Sequence, residues 1–223
     1  MKKIQMFLTI ALLGALIGQY IFTKDQAKES LSASILKATQ DSNATVTKLF
    51  INSLYPEIED VLQLNNASAA SALLSKAEFE LVDAVIRKFV LGTDVLKVKV
   101  YSVTGLTKYS SDASQVGEDK SANTGFMAAL RGSAGSQITH RDAFSAMEGE
   151  VFNRDLVASY IPIRGSDSSV IGVAELYTDR TPAIQQSERR FEDLQFVLII
   201  SMTIVLLFAF GVVGLSFAIS KQR

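Results

Sequence analysis

The sequence predicts an α+β protein in which two transmembrane helices flank an exported domain made of long N-terminal helices and an antiparallel sheet. Two long apolar runs lie near the ends of the 223-residue chain. Helical periodicity fills most of the segment between Lys24 and Gly92. At Asp94 the hydrophobic period changes from about 3.6 residues to about 2, and short alternating segments follow at close spacing. Such segments, joined by short turns, are typical of antiparallel strands.

Each apolar run predicts one membrane span. Phe196 to Ile219 is 24 residues long and carries no charge, and about 20 such residues cross a bilayer. The N-terminal run, Ile4 to Phe22, follows Lys2 and Lys3. It is longer than the apolar region of a signal peptide and is not followed by a small-residue cleavage site, which favours an uncleaved anchor. We therefore predict transmembrane helices over 1–23 and 196–220.

Charge and cysteine content predict where the segments lie. Basic residues flank both outer ends of the chain, whereas all 23 Asp and Glu lie between the two spans. Basic flanks mark the cytoplasmic side of a membrane. We therefore expect a bacterial inner-membrane protein with both termini in the cytoplasm and residues 24–195 in the periplasm. The absence of cysteine means that this domain relies on packing instead of disulfides. Its acidic balance excludes a nucleic-acid partner.

The segment 24–92 is predicted to be helical and periplasmic. The first helix is expected to run from Lys24 to about Leu64, with Pro56 interrupting it, and Asn65 to Ala72 reads as a connection. Its buried stripe is predicted from residues that recur at steps of three and four: Leu31, Ile35, Ala38, Ser42, Thr45 and Leu49.

A second helix is predicted to begin after Ser75. Ser75 and Glu78 have the spacing of a capping box, and Gly92 is placed to end the helix. The predicted buried face consists of Phe79, Val82, Ile86 and either Phe89 or Val90.

The segment 93–180 is predicted to form the sheet domain. We expect strands over 95–103, 106–110, near 136–140, 156–163 and 169–177, with a short helix at about 125–130. Thr104-Gly105 reads as the turn of the first hairpin. From Thr181, with Pro182 in the first turn, a juxtamembrane helix over 181–195 is expected to continue into the second span. Its apolar seam predicts pairing with a second copy, and hence a homodimer.

Three stretches carry a resemblance to a known class: VLKVKVYSVTGLTKYSSDASQVGED (95–119), GFMAALRGSAGSQITHRDAFSAMEGE (125–150) and RDLVASYIPIRGSDSSVIGVAELYTDRT (154–181). Together they resemble the periplasmic Cache (extracellular PAS-like) sensory region of bacterial two-span receptors. Such regions precede sensor histidine kinases of two-component systems and diguanylate cyclases, so the resemblance implies a role in signal transduction. Those receptors continue past the second span into an output domain, whereas this chain stops at Arg223. We therefore expect the output to be missing from this chain or to belong to a cytoplasmic partner.

Catalysis has little support in the sequence. The chain has one histidine and no cysteine, which excludes Cys/His nucleophilic pairs and His-rich metal sites. The glycines of RGSAGS (131–136) lack the spacing and the lysine of a phosphate loop. We predict no enzymatic activity, no metal and no cofactor.

Ligand binding is the better hypothesis, because PAS-like sheets use one face as the floor of a small pocket. Strand alternation places Glu175 and Tyr177 on one face, and an arginine fork matches a carboxylate ligand. The predicted ligand-binding residues are Arg131, His140, Arg141, Tyr160 and Glu175. Each also has a purely structural explanation: a core tyrosine with a solvated hydroxyl, a surface cation, or a carboxylate paired with a lysine.

The sequence therefore predicts a membrane-anchored periplasmic sensor for a small, carboxylate-like molecule. The alternative is a structural or accessory membrane subunit that uses its periplasmic domain for protein contacts.

Overall fold

A computed structural model of the chain describes residues 2–53, 55–64 and 72–221. The predicted connection over 65–72 lies outside the described residues, apart from Ala72. The chain forms two compact units, one made of Met1–Ala33 with Gln185–Arg223 and the other of Ser34–Ile184.

Five helices and five strands account for most of the described residues. The helices are α1 (Lys2–Ser53), α2 (Tyr55–Leu62), α3 (Lys76–Val90), α4 (Thr124–Leu130) and α5 (Thr181–Lys221). The strands are β1 (Val95–Ser102), β2 (Thr107–Ser110), β3 (Gly135–Ala146), β4 (Gly149–Arg164) and β5 (Val170–Asp179). A single 3-10 turn, Ala113–Gln115, lies between β2 and α4.

The strands form one antiparallel sheet in the order β2-β1-β5-β4-β3. The predicted α+β class and the antiparallel sheet are confirmed. β3 and β4 are much longer than the predicted strands and pair along their whole overhang, from Arg141↔Arg154 to Ala146↔Gly149. Glu150, which lies between the strands predicted near 136–140 and over 156–163, therefore lies in β4. Periodicity missed this overhang because most of its side chains are exposed on both faces, so no buried residue marks its alternation.

Local signals in the helical segment agree with the structure. α1 ends at Ser53 and α2 begins at Tyr55, next to Pro56. Ser75 caps α3 in a complete capping box with Glu78, as predicted. Gly92 follows α3 with a φ of 76°, a conformation that glycine adopts at little cost.

The buried face of α1 differs from the predicted stripe. Ala38, Ser42, Thr45 and Leu49 are exposed, and the buried residues are Thr39, Asn43, Thr47 and Phe50. Polar side chains can face the sheet here because the sheet supplies hydrogen-bond partners. Asn43 Nδ2 donates to Ser159 Oγ at 2.9 Å, and Thr178 Oγ1 donates to Asn43 Oδ1 at 3.0 Å.

The two faces of the sheet are covered differently. The face toward α1, α2 and α3 carries the main core, which includes Ile58, Leu62, Val82, Ile86, Val100 and Leu176. The opposite face carries a smaller cluster of Tyr101, Phe126, Ala129, Tyr160 and Val173, partly covered by α4. Burial of apolar surface stabilises both clusters, but the second includes two tyrosines and borders several charged residues.

Within the unit made of the chain ends, one helix passes the test of length and apolar character for a membrane span. Among the residues that the structure describes, that helix covers Thr181–Val212 of α5, and its most apolar stretch of 18 residues has no buried residue. In the same unit, Tyr20 Oη of α1 donates to Gln195 Oε1 at 3.0 Å. The N-terminal span over 1–23 stays a prediction.

Candidate ligand-binding site

Three strands bring polar side chains together on the sheet face away from α1. Alternation along β1 places Lys97, Lys99 and Tyr101 on this face. In the register of the sheet, Glu175 of β5 lies directly opposite Lys99 of β1 on one side and opposite Tyr160 of β4 on the other. Glu175 is therefore the centre of the cluster.

Glu175 is a buried carboxylate with incomplete hydrogen bonding. Its residue is 1% exposed. The hydroxyl of Tyr101 donates to Oε2, while Oε1 is buried and accepts no hydrogen bond from any described residue. An ionised carboxylate can accept about four hydrogen bonds, and a buried acceptor without a partner is costly. This oxygen is thus the less satisfied of the two carboxylate oxygens, with the hydroxyls of Tyr160 and Tyr177 as its neighbouring donors.

Lys99 is a buried cation opposite Glu175, and it also lacks a close partner of opposite charge. The residue is 4% exposed, and its nearest charged partner is Glu118 Oε2 at 3.8 Å. Glu118 is held more closely by Lys120, at 2.9 Å. Burial lowers the pKa of Lys99, and the charges of Glu175 and Glu118 oppose that change. Lys99 and Glu175 thus attract each other from opposite positions in the register, but they form no direct ion pair in the described part of the chain.

Three tyrosines surround the carboxylate. Burial, followed by the nearby charge of Glu175, raises the pKa of Tyr101, Tyr160 and Tyr177, so all three hydroxyls stay neutral. The rings of Tyr101 and Tyr160 lie nearly parallel, with centroids 6.5 Å apart. Gly125 allows α4 to lie against Tyr160, because a Cβ there would collide with the ring. The tyrosines give the site flat aromatic walls with polar ends.

Lys97, two residues from Lys99, has a more complete environment. Its Nζ lies 3.3 Å from both Asp112 Oδ2 and Gln115 Oε1, and 4.5 Å from the centre of the Phe144 ring. Hydrogen bonds, above all from the hydroxyl of Ser114, lower the pKa of Asp112 to about 2. Asp112 is therefore ionised and balances the charge of Lys97, so that Lys99 is the less satisfied of the two lysines.

Two small cavities border the cluster. One of about 250 Å³ is lined by Lys97, Lys99, Arg141, Phe144 and Tyr177 among others. The other, of about 240 Å³, lies between α4 and the start of β3 and is bounded by Tyr160. Their sizes suit a metabolite of a few heavy atoms rather than a large cofactor.

The structure brings some of the predicted site residues together and leaves others apart. Tyr160 and Glu175 lie opposite each other in the register, and Arg141 lines the same cavity as Lys99. Arg131 is exposed at the end of α4, and His140 is exposed and bonded to Asp155. A ligand-binding role for these five residues stays a prediction, and the positions of Arg131 and His140 do not support it.

The five predicted site residues leave out Lys97, Lys99, Tyr101 and Tyr177, although strand alternation puts Lys99 and Tyr101 on one face and Tyr177 on the face of Glu175. The signal was a pair of lysines inside a strand that otherwise consists of buried residues. The two lysines were not assigned to the site because the polar face of an alternating strand usually faces solvent. Only the cross-strand register shows that these side chains surround a carboxylate.

Comparison with known proteins gives structural relatives only. No family model and no curated protein matches the sequence. Among solved structures, the chain is similar to the sensor domain of the V. cholerae histidine kinase DctB, with 17% identity, a TM-score of 0.43 and coverage of 76% of this chain and 59% of that one. The E. coli DcuS sensor domain has 19% identity and a TM-score of 0.38, with coverage of 74% and 98%.

A third similar structure is the sensory domain of the Campylobacter jejuni chemoreceptor Tlp3 with isoleucine bound, at 12% identity, a TM-score of 0.40 and coverage of 78% and 64%. The chain thus spans less than two thirds of the DctB and Tlp3 structures. All three are sensor domains.

His140 leads to a pH prediction. Its pKa is raised above the usual 6.5, first because its Nδ1 shares a hydrogen bond of 2.8 Å with Asp155, and also because of the charges of Asp155 and Asp142. A pKa that is higher in the folded state stabilises the fold fully below the unfolded value of 6.5, and this stabilisation is lost as pH rises through the folded value.

We therefore expect H140Q to lower Tm more at about pH 5.5 than at about pH 8.5, because only the imidazolium gains from the two carboxylates. Thermal unfolding of the full chain in detergent at both pH values measures this difference. An equal loss of Tm at the two pH values would contradict it.

Proposed function

We propose that the chain is the signal-input part of a membrane-anchored periplasmic sensor, and that residues 24–195 bind a small molecule between Lys99 and Glu175. The observation that carries this proposal is a pair of buried, opposite charges in direct register. Lys99 lines one of the two cavities, and Tyr160, which lies opposite Glu175, lines the other. Charged groups are buried in this way at a cost. A ligand that supplies the missing partners offsets that cost.

The charges define the ligand's chemistry. Lys99 requires an anionic oxygen, and Glu175 Oε1 requires an N–H or O–H donor. A compound with a carboxylate next to an amino or hydroxyl group meets both requirements, so the ligand is an α-amino or α-hydroxy acid. Arg141, in the wall of the same cavity, adds a second cation for the carboxylate. Phe144 and Tyr177, with ring centroids 5.1 Å apart, offer an apolar surface for the rest of the molecule.

The site is connected to the C-terminal helix. β5 carries Glu175 and ends at Asp179, and α5 begins at Thr181. Between them, Arg180 Nε donates to Thr39 Oγ1 of α1 at 2.9 Å, and Arg180 Nη1 lies 2.7 Å from Asp94 Oδ2 before β1. A ligand that favours one position of β5 therefore biases the start of α5. In a homodimer with both termini in the cytoplasm, this bias passes across the bilayer to an output domain or partner.

A thermal-shift panel on the full chain in detergent tests the ligand proposal. The panel contains α-amino acids, α-hydroxy acids, and the matched amines, alcohols and simple carboxylates that lack one of the two groups. A ligand at about 100 times its Kd adds about 2.7 kcal/mol, which raises Tm by about 5–10 °C. We expect only compounds with both groups to do so. A flat response across the whole panel would overturn ligand sensing and favour the structural-subunit alternative.

The membrane topology has a separate test, because the chain has no cysteine of its own. We expect S114C, at an exposed position in the 3-10 turn, to react with a membrane-impermeant maleimide in cells with a permeabilised outer membrane. K2C and K221C are the matched positions at the two ends and are expected to react only after lysis. Labelling of K2C before lysis, in cells with a permeabilised outer membrane, would show that the N-terminus does not lie in the cytoplasm.

A further inference from the structure

A cavity of about 470 Å³ lies between α1 and the end of β4, away from the proposed sensor site. We call it the α1–β4 groove. It shares no lining residue with the two cavities next to Lys99 and Glu175. One wall comes from α1, including Thr47 and Lys48, and the other from the end of β4, including Ile161 and Arg164. A ligand in it would therefore contact none of the residues that line those two cavities.

The groove exists because the sheet is incomplete at this point. β3 begins to pair with β4 at Gly135, which lies opposite Tyr160. Residues 161–164 of β4 therefore have no β3 neighbour. Pro162 lies in this stretch and lines the groove, and because proline has no amide hydrogen it discourages a further strand from adding to the edge. The gap is thus protected against strand pairing and stays open to a small molecule.

Arg164 is an exposed residue that lines the groove and has no counter-charge among the described residues. Its Nη1 donates to the carbonyl of Ser168 at 3.0 Å, and its Nη2 donates to the carbonyl of Gly132 at 3.2 Å. These contacts use two of the five N–H groups of the guanidinium. Carbonyls fix the side chain but do not neutralise it, and no carboxylate of the described residues forms an ion pair with it.

Lys48 adds a second cation from the opposite wall. It is exposed on α1 and forms no ion pair within the described ranges. No Asp or Glu lines the groove, so the two positive charges are not balanced from within. The two cations that line the groove favour an anionic ligand.

Thr47 gives an independent indication of a missing partner. The residue is 3% exposed, and its hydroxyl is buried without a hydrogen bond to any described residue. Thr47 lines the groove directly before Lys48 in the sequence, and it also borders a small apolar pocket that includes Phe50. A buried hydroxyl without a partner costs free energy, and an oxygen atom of a bound anion would satisfy it.

We propose that the α1–β4 groove binds a small organic oxyanion, which is a carboxylate or phosphate group on a compact apolar body. Arg164 and Lys48 bind the anionic oxygens, and Thr47 donates to one of them. Ile51 and Ile161 provide the apolar contact for the body of the molecule. Because Lys48 and Thr47 belong to α1, occupancy would also tie this helix to the end of β4.

The test is a titration of the ¹⁵N-labelled full chain in detergent with benzoate, phenyl phosphate and, as the uncharged match, benzyl alcohol. Amide shifts of Gly132 and Gly165 report on the groove. We expect saturable shifts with at least one anion and none with benzyl alcohol. R164Q and K48Q should each weaken binding about tenfold or more, since a hydrogen bond to a charged group contributes about 1.5–3 kcal/mol.

K37Q is the matched control, because Lys37 lies on the same helix, is exposed and pairs with Asp41 at 2.7 Å outside the groove. Its affinity should equal that of the natural chain. R164Q removes the hydrogen bonds from Arg164 to Ser168 and Gly132, so it can lower affinity by loosening the local backbone. Lys48 is exposed and forms no ion pair among the described residues, so K48Q is the deciding variant. Absence of saturable shifts with both anions would overturn the proposal, as would binding by K48Q at the affinity of K37Q. Binding of one anion alone would support it and would identify the head group.

Discussion

Replacing Lys99 with methionine is expected to destabilise the fold by about 3 kcal/mol, because it leaves Glu175 as a buried carboxylate with no nearby cation inside the cluster. E175Q is expected to lower the free energy of unfolding by less than K99M does, because the glutamine side chain still accepts a hydrogen bond from the hydroxyl of Tyr101. The double variant K99M/E175Q should recover most of the loss, because it removes both buried charges together. Chemical unfolding of the four chains in detergent measures the coupling between the two residues.

The control for this cycle is K120M. Lys120 is more exposed than Lys99, and its partner Glu118 is itself partly in solvent, so its loss should cost at most about 1 kcal/mol. Strict additivity of K99M and E175Q would mean that the two charges do not interact. An attraction between Lys99 and Glu175 would then no longer support the proposed site.

Replacing Asn43 with leucine is expected to destabilise the unit Ser34–Ile184 by about 2–4 kcal/mol, because it leaves the buried hydroxyl of Thr178 without a partner and that of Ser159 with Ser136 alone. Asn43 is 1% exposed and joins Ser159 and Thr178 by hydrogen bonds of 2.9 and 3.0 Å. Leucine has a similar size but offers neither donor nor acceptor. The measurement is the free energy of unfolding of the variant against the natural chain.

S42A is the matched control for N43L. Ser42 is the preceding residue on α1 but is exposed, so its replacement should change stability by no more than about 0.5 kcal/mol. If N43L were as stable as S42A, the polar contact between α1 and the sheet would contribute nothing, and the register of α1 would have to depend on Phe50 and its apolar neighbours.

Most secondary structure was predictable because its signals are local. The capping box at Ser75, the break at Pro56 and the alternation of β1 each depend on residues close together in sequence. The buried stripe of α1 was predicted wrongly because hydrophobic periodicity assigns polar residues to the exposed face of a helix. In α1, Thr39, Asn43 and Thr47 are buried, and Asn43 and Thr39 find their partners on the sheet and on Arg180. Such partners lie more than 100 residues away and cannot be found from periodicity.

The site was predictable only in part for the same reason. Alternation placed Glu175 and Tyr177 on one face of their strand, but the position of Tyr160 opposite Glu175 depends on the order of the strands in the sheet. Lys99 shows the limit most clearly: by sequence it is a lysine on a polar strand face, and by register it is a buried cation opposite Glu175. The exposed overhang of β3 and β4 also brings Phe144 and Arg141 to the cavity beside Lys99, a placement that no local pattern predicts.

The most direct test of ligand binding between Lys99 and Glu175 is calorimetric titration of the strongest compound from the thermal-shift panel into the natural chain, K99M/E175Q and K120M, all in the same detergent. We expect saturable binding to the natural chain and to K120M, and a loss of affinity of at least about 100-fold in the double variant, because both charged contacts are removed. Binding of the compound to K99M/E175Q with unchanged affinity would contradict the proposed site, and no saturable binding by any panel compound would contradict ligand sensing itself.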